Sequence, residues 1–157
     1  MRDEPAAAQR AVLRERLAPR AALLGTQISL DAAIEAEAVS KTSYDTTTLD
    51  LLTRLALSDG GCLRAVELCR QLLKSPSHIS RRIDRAETAG LVLRQDDPDD
   101  RRANQVCLTS KGREVAEAFL VNLSRVIDRV VFEVLEPDEV TQLYDILGRI
   151  KHAARPN

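Results

Sequence analysis

Aromatic side chains are scarce in this sequence of 157 residues. It contains two tyrosines, two phenylalanines and no tryptophan, which together make 3% of the chain. Hydrophobic residues nevertheless make 44% of it, so a core must consist mainly of leucine, isoleucine, valine and alanine. Such a core is typical of packed helices rather than of β-sandwiches or barrels. The composition therefore predicts one mostly α domain, since this length fits a single folding unit.

Cysteine and histidine are also few. The three cysteines, Cys62, Cys69 and Cys107, form no Cys-x-x-Cys pair, and no zinc-site spacing can be assembled from them and the two histidines. We therefore expect three small buried thiols, as in a protein kept in a reducing compartment. No metal and no cofactor are expected.

Long apolar runs are missing as well. No segment approaches the roughly 18 apolar residues of a membrane span, and the amino-terminal MRDEPAAAQR lacks the apolar centre of a secretory signal. We expect a cytoplasmic protein with no membrane partner. The net charge is -1 with 30% charged residues, which argues against a protein that coats nucleic acid through bulk positive charge.

The first 45 residues show helical periodicity with an interruption. Apolar residues around Val12 predict a short leading helix that ends at Pro19. A second, longer helix with an imperfect apolar face follows, up to the polar segment SKTSYDTTT. Asp45 or Thr46 can cap the next helix, which the segment SDGG ends.

Two short helical patterns joined by a turn come next. AVELCRQLL suits a first helix, and Ser75 can cap a second one in which Pro76 takes the first position, where its missing N–H costs nothing. Ile79 and Ile83 lie on the side expected to be buried. Between residues 64 and 85, six basic residues stand against two acidic ones. This pattern predicts a helix-turn-helix with a local positive patch.

A strand pair follows the second of these helices. Residues 91–94 have strand character, DDPDD is a turn by composition, and NQVCLT alternates polar and apolar residues. Alternation is expected to turn Cys107 inward, and Cys62 with Leu63 could add a third strand. A hairpin with a long charged tip, a wing, is therefore expected beside the helix-turn-helix.

The carboxyl-terminal third predicts two more helices. Apolar residues from Val115 to Leu135 form a face longer and wider than one small domain needs, and EPDE starts a last helix at Pro137. These helices and the amino-terminal ones are the natural dimerisation surface. The expected division is 1–45 for the N-terminal helices, 46–109 for the winged helix-turn-helix lobe and 110–157 for the C-terminal helices, in one compact domain.

Three segments carry a resemblance to a known family. ELCRQLL, SPSHISRRIDRAETAGLVLR and DDPDDRRANQVCLTSKG resemble the first binding helix, the recognition helix with its strand, and the wing of MarR family transcriptional regulators. The last segment is the strongest signal, because D-P-x-D-R-R-A followed by L-T-x-x-G rarely arises by accident. The resemblance implies a mostly α winged helix-turn-helix with a small β-hairpin wing and N- and C-terminal dimerisation helices.

The same resemblance implies where DNA would be contacted. Arg102 at the wing tip would reach the minor groove, with Asp100 orienting its guanidinium. The residues that would lie on or near the major groove are Pro76, Ser77, His78, Ser80 and Arg81. A guanidinium suits a narrow groove of negative potential, while Arg94 and Arg101 would contact phosphates. The expected DNA-binding residues are Ser75, Pro76, Ser77, His78, Ser80, Arg81, Arg85, Arg94, Asp100, Arg101 and Arg102.

Two departures from the family pattern bear on these contacts. Arg82 and Ala86 sit where similar proteins usually have larger apolar residues, so the recognition helix is expected to pack less tightly or to tilt differently. The four acidic residues of the wing oppose its arginines, so phosphate binding there should be weaker than the motif alone suggests.

An effector pocket is also implied by the resemblance. It would hold a small aromatic or anionic ligand between the binding lobe and the dimerisation helices, with Tyr44, Arg54 and Arg129 as candidate liners. Redox sensors of the family carry a reactive cysteine in the first long helix, where this chain has none.

These observations favour a homodimeric repressor that binds a pseudo-palindromic operator in double-stranded DNA and is relieved by a small-molecule ligand. One alternative is a winged-helix scaffold that joins protein partners without DNA affinity, and another is a thiol-based redox-sensing regulator. An enzyme is not expected, because the sequence has no nucleophile elbow, phosphate loop or metal cluster.

Overall fold

A computed structural model describes residues 4–97 and 104–154. These residues form a mostly helical domain with one small antiparallel sheet, as the sequence predicted. None of the helices in the two described ranges combines the length and the apolar character needed to cross a membrane. The elements are α1 (Glu4–Glu37), α2 (Thr46–Ala56), β1 (Cys62–Arg64), α3 (Ala65–Leu72), α4 (Pro76–Thr88), β2 (Val92–Asp96), β3 (Asn104–Leu108), α5 (Ser110–Ile127) and α6 (Pro137–Ala153).

One helix replaces the two that the sequence predicted at the amino terminus. Helix α1 runs unbroken through Pro19, so the expected short leading helix ending at this proline was wrong. A proline inside a helix normally costs about 3 kcal/mol because it removes one N–H and crowds the preceding turn. Here Pro19 and Glu15 are exposed, so the carbonyl of Glu15 that loses its partner can bond to water instead.

The main core packs α2, α3 and α4 against one face of the sheet. Helix α2 contributes three fully buried leucines to this core, and the sheet contributes Val106. A second, smaller cluster joins the end of α1 to α2 and α5 through Val39, Leu49 and Phe119. Tyr44 packs against both clusters and connects them.

The three strands are ordered β1-β3-β2 and both pairings are antiparallel. The third strand that Cys62 and Leu63 were expected to add is present as β1, which pairs with β3. Val106 belongs to the core cluster, so its neighbour Cys107 lies on the opposite, outer face of the sheet. The expectation that Cys107 faces inward was therefore wrong, although its side chain is buried.

A disulfide bond joins Cys62 to Cys107, so the expectation of three thiols was wrong for these two residues. The two cysteines are direct partners across the β1–β3 pairing, with 4.1 Å between their Cα atoms. Their separation of 45 residues along the chain hides this proximity. Cys69 is the free cysteine; it is half-buried and packs against the main core.

The L-T-x-x-G motif fixes the junction between the wing and α5. The Thr109 hydroxyl accepts a hydrogen bond from the Gly112 N–H at 3.0 Å, which caps α5. The same hydroxyl donates to the Gly90 carbonyl at 2.7 Å. A Cβ added at Gly112 would lie 1.8 Å from the Leu91 carbonyl oxygen, so only glycine fits there.

The C-terminal helices leave many apolar side chains exposed. After α5 the backbone continues as a π-helical turn, Asp128–Phe132, and α6 then begins at Pro137 behind a capping box of Glu136 and Glu139. Together with α1, helix α6 presents an apolar surface to solvent. Its exposed members are Val12, Leu13, Leu17, Leu23, Leu24 and Ile28 of α1 and Leu143, Tyr144, Ile146, Leu147 and Ile150 of α6.

Candidate nucleic-acid interface

Helix α4 is anchored by one buried stripe. Ile79, Ile83 and Ala86 are 1%, 2% and 1% exposed, and all three belong to the main core. Ala86 is therefore buried, and the looser packing or different tilt of the helix expected there stays a prediction. Ser75 occupies the N-cap position but its side chain does not cap the backbone, contrary to the expectation, because its hydroxyl pairs with that of Ser77 at 3.2 Å.

The rest of α4 faces away from the core. The helix ends where Gly90 adopts a left-handed conformation with φ of 70°, and this turns the chain into β2. All seven candidate contact residues of the helix-turn-helix are exposed, so solvent and a large partner can reach them. They are Ser75, Pro76, Ser77, His78, Ser80, Arg81 and Arg85.

Five basic side chains line one shallow cleft at this surface. Its volume is about 250 Å³ and Thr47 of α2 completes the lining. None of the five forms an ion pair with any residue of the two described ranges. Their basic groups therefore have no directly paired carboxylate among the described residues. We call this set the basic cleft: Lys74, His78, Arg81, Arg82 and Arg85.

Two members of the basic cleft were missed by the sequence analysis. Lys74 lies in the turn between α3 and α4, and neither it nor Arg82 was among the expected DNA-binding residues, although both were counted in the local positive patch. The Nη1 atom of Arg82 is buried and has no hydrogen-bond partner among the described residues. A buried guanidinium donor without a partner favours the approach of an anion. The local excess of positive charge was the signal that included both residues.

Arg94 has an intramolecular role that the sequence did not show. Its guanidinium binds Asp84 at 2.5 Å and also binds Glu87, so β2 is tied to α4. The hydrogen bond that the guanidinium donates to the Asp84 carboxylate is the main cause that raises the pKa of Arg94 above its ordinary value. The phosphate contact expected for Arg94 would have to compete with these two carboxylates.

The base of the wing is held by a buried carboxylate. Asp97, whose side chain is 1% exposed, accepts a hydrogen bond from Arg64 Nε at 2.6 Å and one from Gln105 Nε2 at 2.9 Å. Residues 98–103 lie outside the described ranges, and with them the expected contacts of Asp100, Arg101 and Arg102. Arg64 and Asp97 are positioning residues that the composition of the turn did not reveal.

The three candidate effector liners have separate surroundings. Tyr44 packs in the core, Arg129 pairs with Glu37, and Arg54 is exposed in the last turn of α2. A cleft of about 560 Å³ lies instead between α1 and the π-helical turn, and none of the three lines it. Its lining residues are Ala22, Gly25, Thr26, Ser29, Leu30, Val130 and Val131.

Comparison with known sequences connects this geometry to a family. The sequence pattern of the MarR family matches residues 44–103, which contain α2, α3, α4 and β2. The HTH-type transcriptional regulator PrsX of Escherichia coli is 28% identical over 99 residues, which cover 63% of this chain. The matched part spans 58% of the length of PrsX.

Solved structures extend the likeness to the terminal helices. AbsC, a MarR family transcriptional regulator from Streptomyces coelicolor, has 26% identity and a TM-score of 0.77, over 88% of this chain and 93% of AbsC. Sco3205, a regulator of the same family and organism solved in complex with DNA, has 25% identity and a TM-score of 0.78, over 92% of this chain and 90% of Sco3205. In its matched segment and in its fold, the chain is therefore similar to winged-helix transcriptional regulators of the MarR family.

Proposed function

We propose that the protein is a sequence-specific DNA-binding repressor. The observation that carries this proposal is the basic cleft, whose five side chains converge on the exposed side of α4 without ion pairs among the described residues. Residues 75–85 would enter a major groove, and the cleft would hold the adjacent phosphates. The complex of Sco3205 with DNA supports the same use of this fold.

Arg102 completes the proposed contact at the wing. The Arg64 and Gln105 bonds to Asp97 fix the point where the chain enters the wing loop, which would present Arg102 to a flanking minor groove. Asp100 would orient its guanidinium, and Arg101 would add a phosphate contact. The acidic residues of the loop oppose this binding, so the major-groove contacts would dominate the affinity.

A second copy of the chain would cover the exposed apolar side chains of α1 and α6. The apolar side chains exposed on α1 and α6 form a surface larger than scattered exposure explains, and a homodimer would bury it. Residues 1–45 and 110–157 would then supply the dimer contacts, while residues 46–109 bind DNA. Two-fold symmetry would place the two α4 helices on half-sites of a pseudo-palindromic operator, about 10 base pairs apart.

Regulation would act through the distance between the two α4 helices. A small aromatic or anionic ligand that favours a different distance would release the operator, since only differential affinity for two states shifts their populations. Repression by occlusion of a promoter in the cytoplasm follows as the biological role, without catalysis or a cofactor.

Selection from random duplexes tests the proposal. Purified protein is mixed with a random oligonucleotide library at low ionic strength, and the enriched duplex is titrated at increasing salt. We expect a pseudo-palindromic site whose affinity falls steeply with salt, because counterions are released when basic side chains neutralise phosphates. No enrichment, together with binding to protein partners, would favour the scaffold alternative.

A further inference from the structure

The disulfide between Cys62 and Cys107 closes a loop around the whole candidate interface. The two cysteines lie 45 positions apart in sequence, and the segment between them includes α3, α4 and β2. The bond joins β1 to β3 on the outer face of the sheet, opposite to the face that packs on the core. Any change at this bond therefore acts on the frame that carries both α4 and the wing.

The two cysteines of the bond differ in exposure, since Cys107 is buried and Cys62 lies nearer to solvent. Cys62 is half-buried, and it neighbours Gln95, an exposed residue of β2. The side-chain amide of Gln95 donates a hydrogen bond to Cys107 Sγ at 2.9 Å and lies 3.6 Å from Cys62 Sγ. A polar amide thus contacts both sulfur atoms, and the half-buried Cys62 is the one that a reagent would reach first, since redox-active cysteines need access to solvent.

The same two strands hold the base of the wing. Arg64 follows Cys62 by two residues in β1, and Gln105 precedes Cys107 by two residues in β3. Both side chains bind the buried carboxylate of Asp97, the last described residue before the wing loop. The β1–β3 pairing that the disulfide stabilises therefore also positions Asp97, after which the wing loop begins.

We propose that Cys62 and Cys107 are a reversible oxidation site for hydroperoxides, and that their disulfide fixes the alignment of β1 with β3 and so sets the affinity for DNA. This inference rests on the proposed function, since a regulator that binds DNA in the cytoplasm meets a pool of reduced thiols. There the disulfide forms only when an oxidant is present.

The chemistry balances with two reactants. The Cys62 thiolate attacks a hydroperoxide oxygen, the O–O bond breaks, and the products are an alcohol and a sulfenic acid on Cys62. The Cys107 thiol then attacks that sulfur, the disulfide forms, and water leaves. In the reverse direction two small-molecule thiols reduce the protein disulfide and become one small-molecule disulfide.

Oxidation should strengthen DNA binding. The disulfide fixes β1 against β3 before DNA arrives, so less conformational freedom remains to be lost when the wing enters the minor groove. Reduction leaves the strand pairing to its hydrogen bonds and to the Asp97 contacts. We expect the oxidised protein to bind its selected duplex roughly two- to tenfold more tightly than the reduced protein.

The test compares both redox forms of the full chain. Protein is fully reduced, freed of reductant without air, and one half is treated with tert-butyl hydroperoxide. Alkylation and mass spectrometry should find three thiols in the reduced form, and after oxidation a linked pair of Cys62 and Cys107 peptides with Cys69 still able to react. Reduced glutathione should restore all three. Affinity for the selected duplex is then measured for each form at one salt concentration.

Two variants separate the proposal from general oxidation damage. Cys62→Ser, at a half-exposed position, should bind DNA with the affinity of the reduced protein under both treatments, whereas Cys69→Ser should keep the difference between the two forms. Equal affinities of the oxidised and reduced protein would overturn the coupling to DNA. A bond that hydroperoxide does not form, or that glutathione does not reduce, would overturn the oxidation site. If neither form binds any duplex, the proposed function as a DNA-binding repressor is wrong. The number of alkylated thiols before and after hydroperoxide treatment then still shows whether Cys62 and Cys107 are an oxidation site.

Discussion

The DNA-binding lobe and the terminal helices use the same kinds of apolar residue with opposite results. In α2 of the lobe, Leu51, Leu52 and Leu55 are 0% exposed. In the terminal helices, Ile28 of α1 is 60% exposed and Tyr144 of α6 is 70% exposed. Helical periodicity alone does not distinguish these two regions. The difference shows that α2 buries its apolar face within the lobe, whereas α1 and α6 leave theirs exposed, where the proposed second copy of the chain would cover it.

The lobe should be intolerant of added volume where its elements meet. Gly112→Ala places a Cβ 1.8 Å from the Leu91 carbonyl oxygen, so backbone must move, and we expect a loss of about 3 kcal/mol or more in the free energy of unfolding. Gly148→Ala in α6 is the matched control, because nothing lies within 4 Å of its added Cβ. It should stabilise the protein by about 0.5 to 1 kcal/mol. Urea denaturation of both variants checks this, and similar losses in the two would contradict it.

The terminal helices should be intolerant of charge instead. Ile28→Glu would bury a carboxylate in the proposed dimer interface and should weaken dimerisation by roughly 2 kcal/mol or more, which sedimentation equilibrium measures. Leu57→Glu changes a side chain of the lobe that is 70% exposed, against 60% for Ile28, and should leave the dimer intact. A dimer that tolerates glutamate at residue 28 would place the interface elsewhere.

Loss of one arginine from the basic cleft should affect DNA binding and not folding. Arg81 is exposed and has no ion pair with a described residue, so Arg81→Ala should leave the unfolding transition unchanged. We expect it to weaken binding to the selected duplex by about 1 to 3 kcal/mol, as for other specific base contacts. Arg125→Ala on α5 serves as the control and should bind DNA like the wild type. Equal affinities for both variants would remove Arg81 from the interface.

The smallest expected effect lies at the start of α2. The Asp45 carboxylate accepts a hydrogen bond from the Thr48 N–H at 2.7 Å, and the hydrogen bonds from Thr48 lower the pKa of Asp45 below its ordinary 3.8. Because this pKa is lower in the folded state, the stabilisation is present above pH 3.8 and is lost as the pH falls through the folded value. Asp45→Ala should cost about 1 kcal/mol at neutral pH.

The pH dependence identifies the cause of that loss. The difference in stability between the wild type and Asp45→Ala should shrink in acid, whereas Asp45→Asn keeps an acceptor for the cap and should cost less at neutral pH. Thermal unfolding at several pH values measures both. A difference that does not change with pH would show that the charge of Asp45 has no part in capping.

Local chemistry explains which elements the sequence predicted. Pro76 marks the start of α4 and Gly90 its end, and the Thr109 and Gly112 spacing corresponds to a real cap and a real close approach. Each of these signals depends on residues only a few positions apart. The prediction at Pro19 failed because the cost of a proline depends on whether solvent reaches the freed carbonyl.

Long-range packing explains what the sequence did not predict. The Cys62–Cys107 bond depends on the register of β1 against β3, and the Arg94 ion pairs depend on how β2 lies against α4. Lys74 and Arg82 share a cleft only because α2 and α4 converge at the turn after α3. The wing contacts of Asp100, Arg101 and Arg102 remain predictions from the family resemblance.

The central claim is that two copies, joined through their terminal helices, bind DNA through two basic clefts. The number of chains bound to one selected duplex tests this claim most directly. Sedimentation at low ionic strength should find two chains on a duplex that carries both half-sites, and much weaker binding when one half-site is scrambled. One chain per duplex with no loss of affinity on scrambling, or no binding at all, would contradict this arrangement.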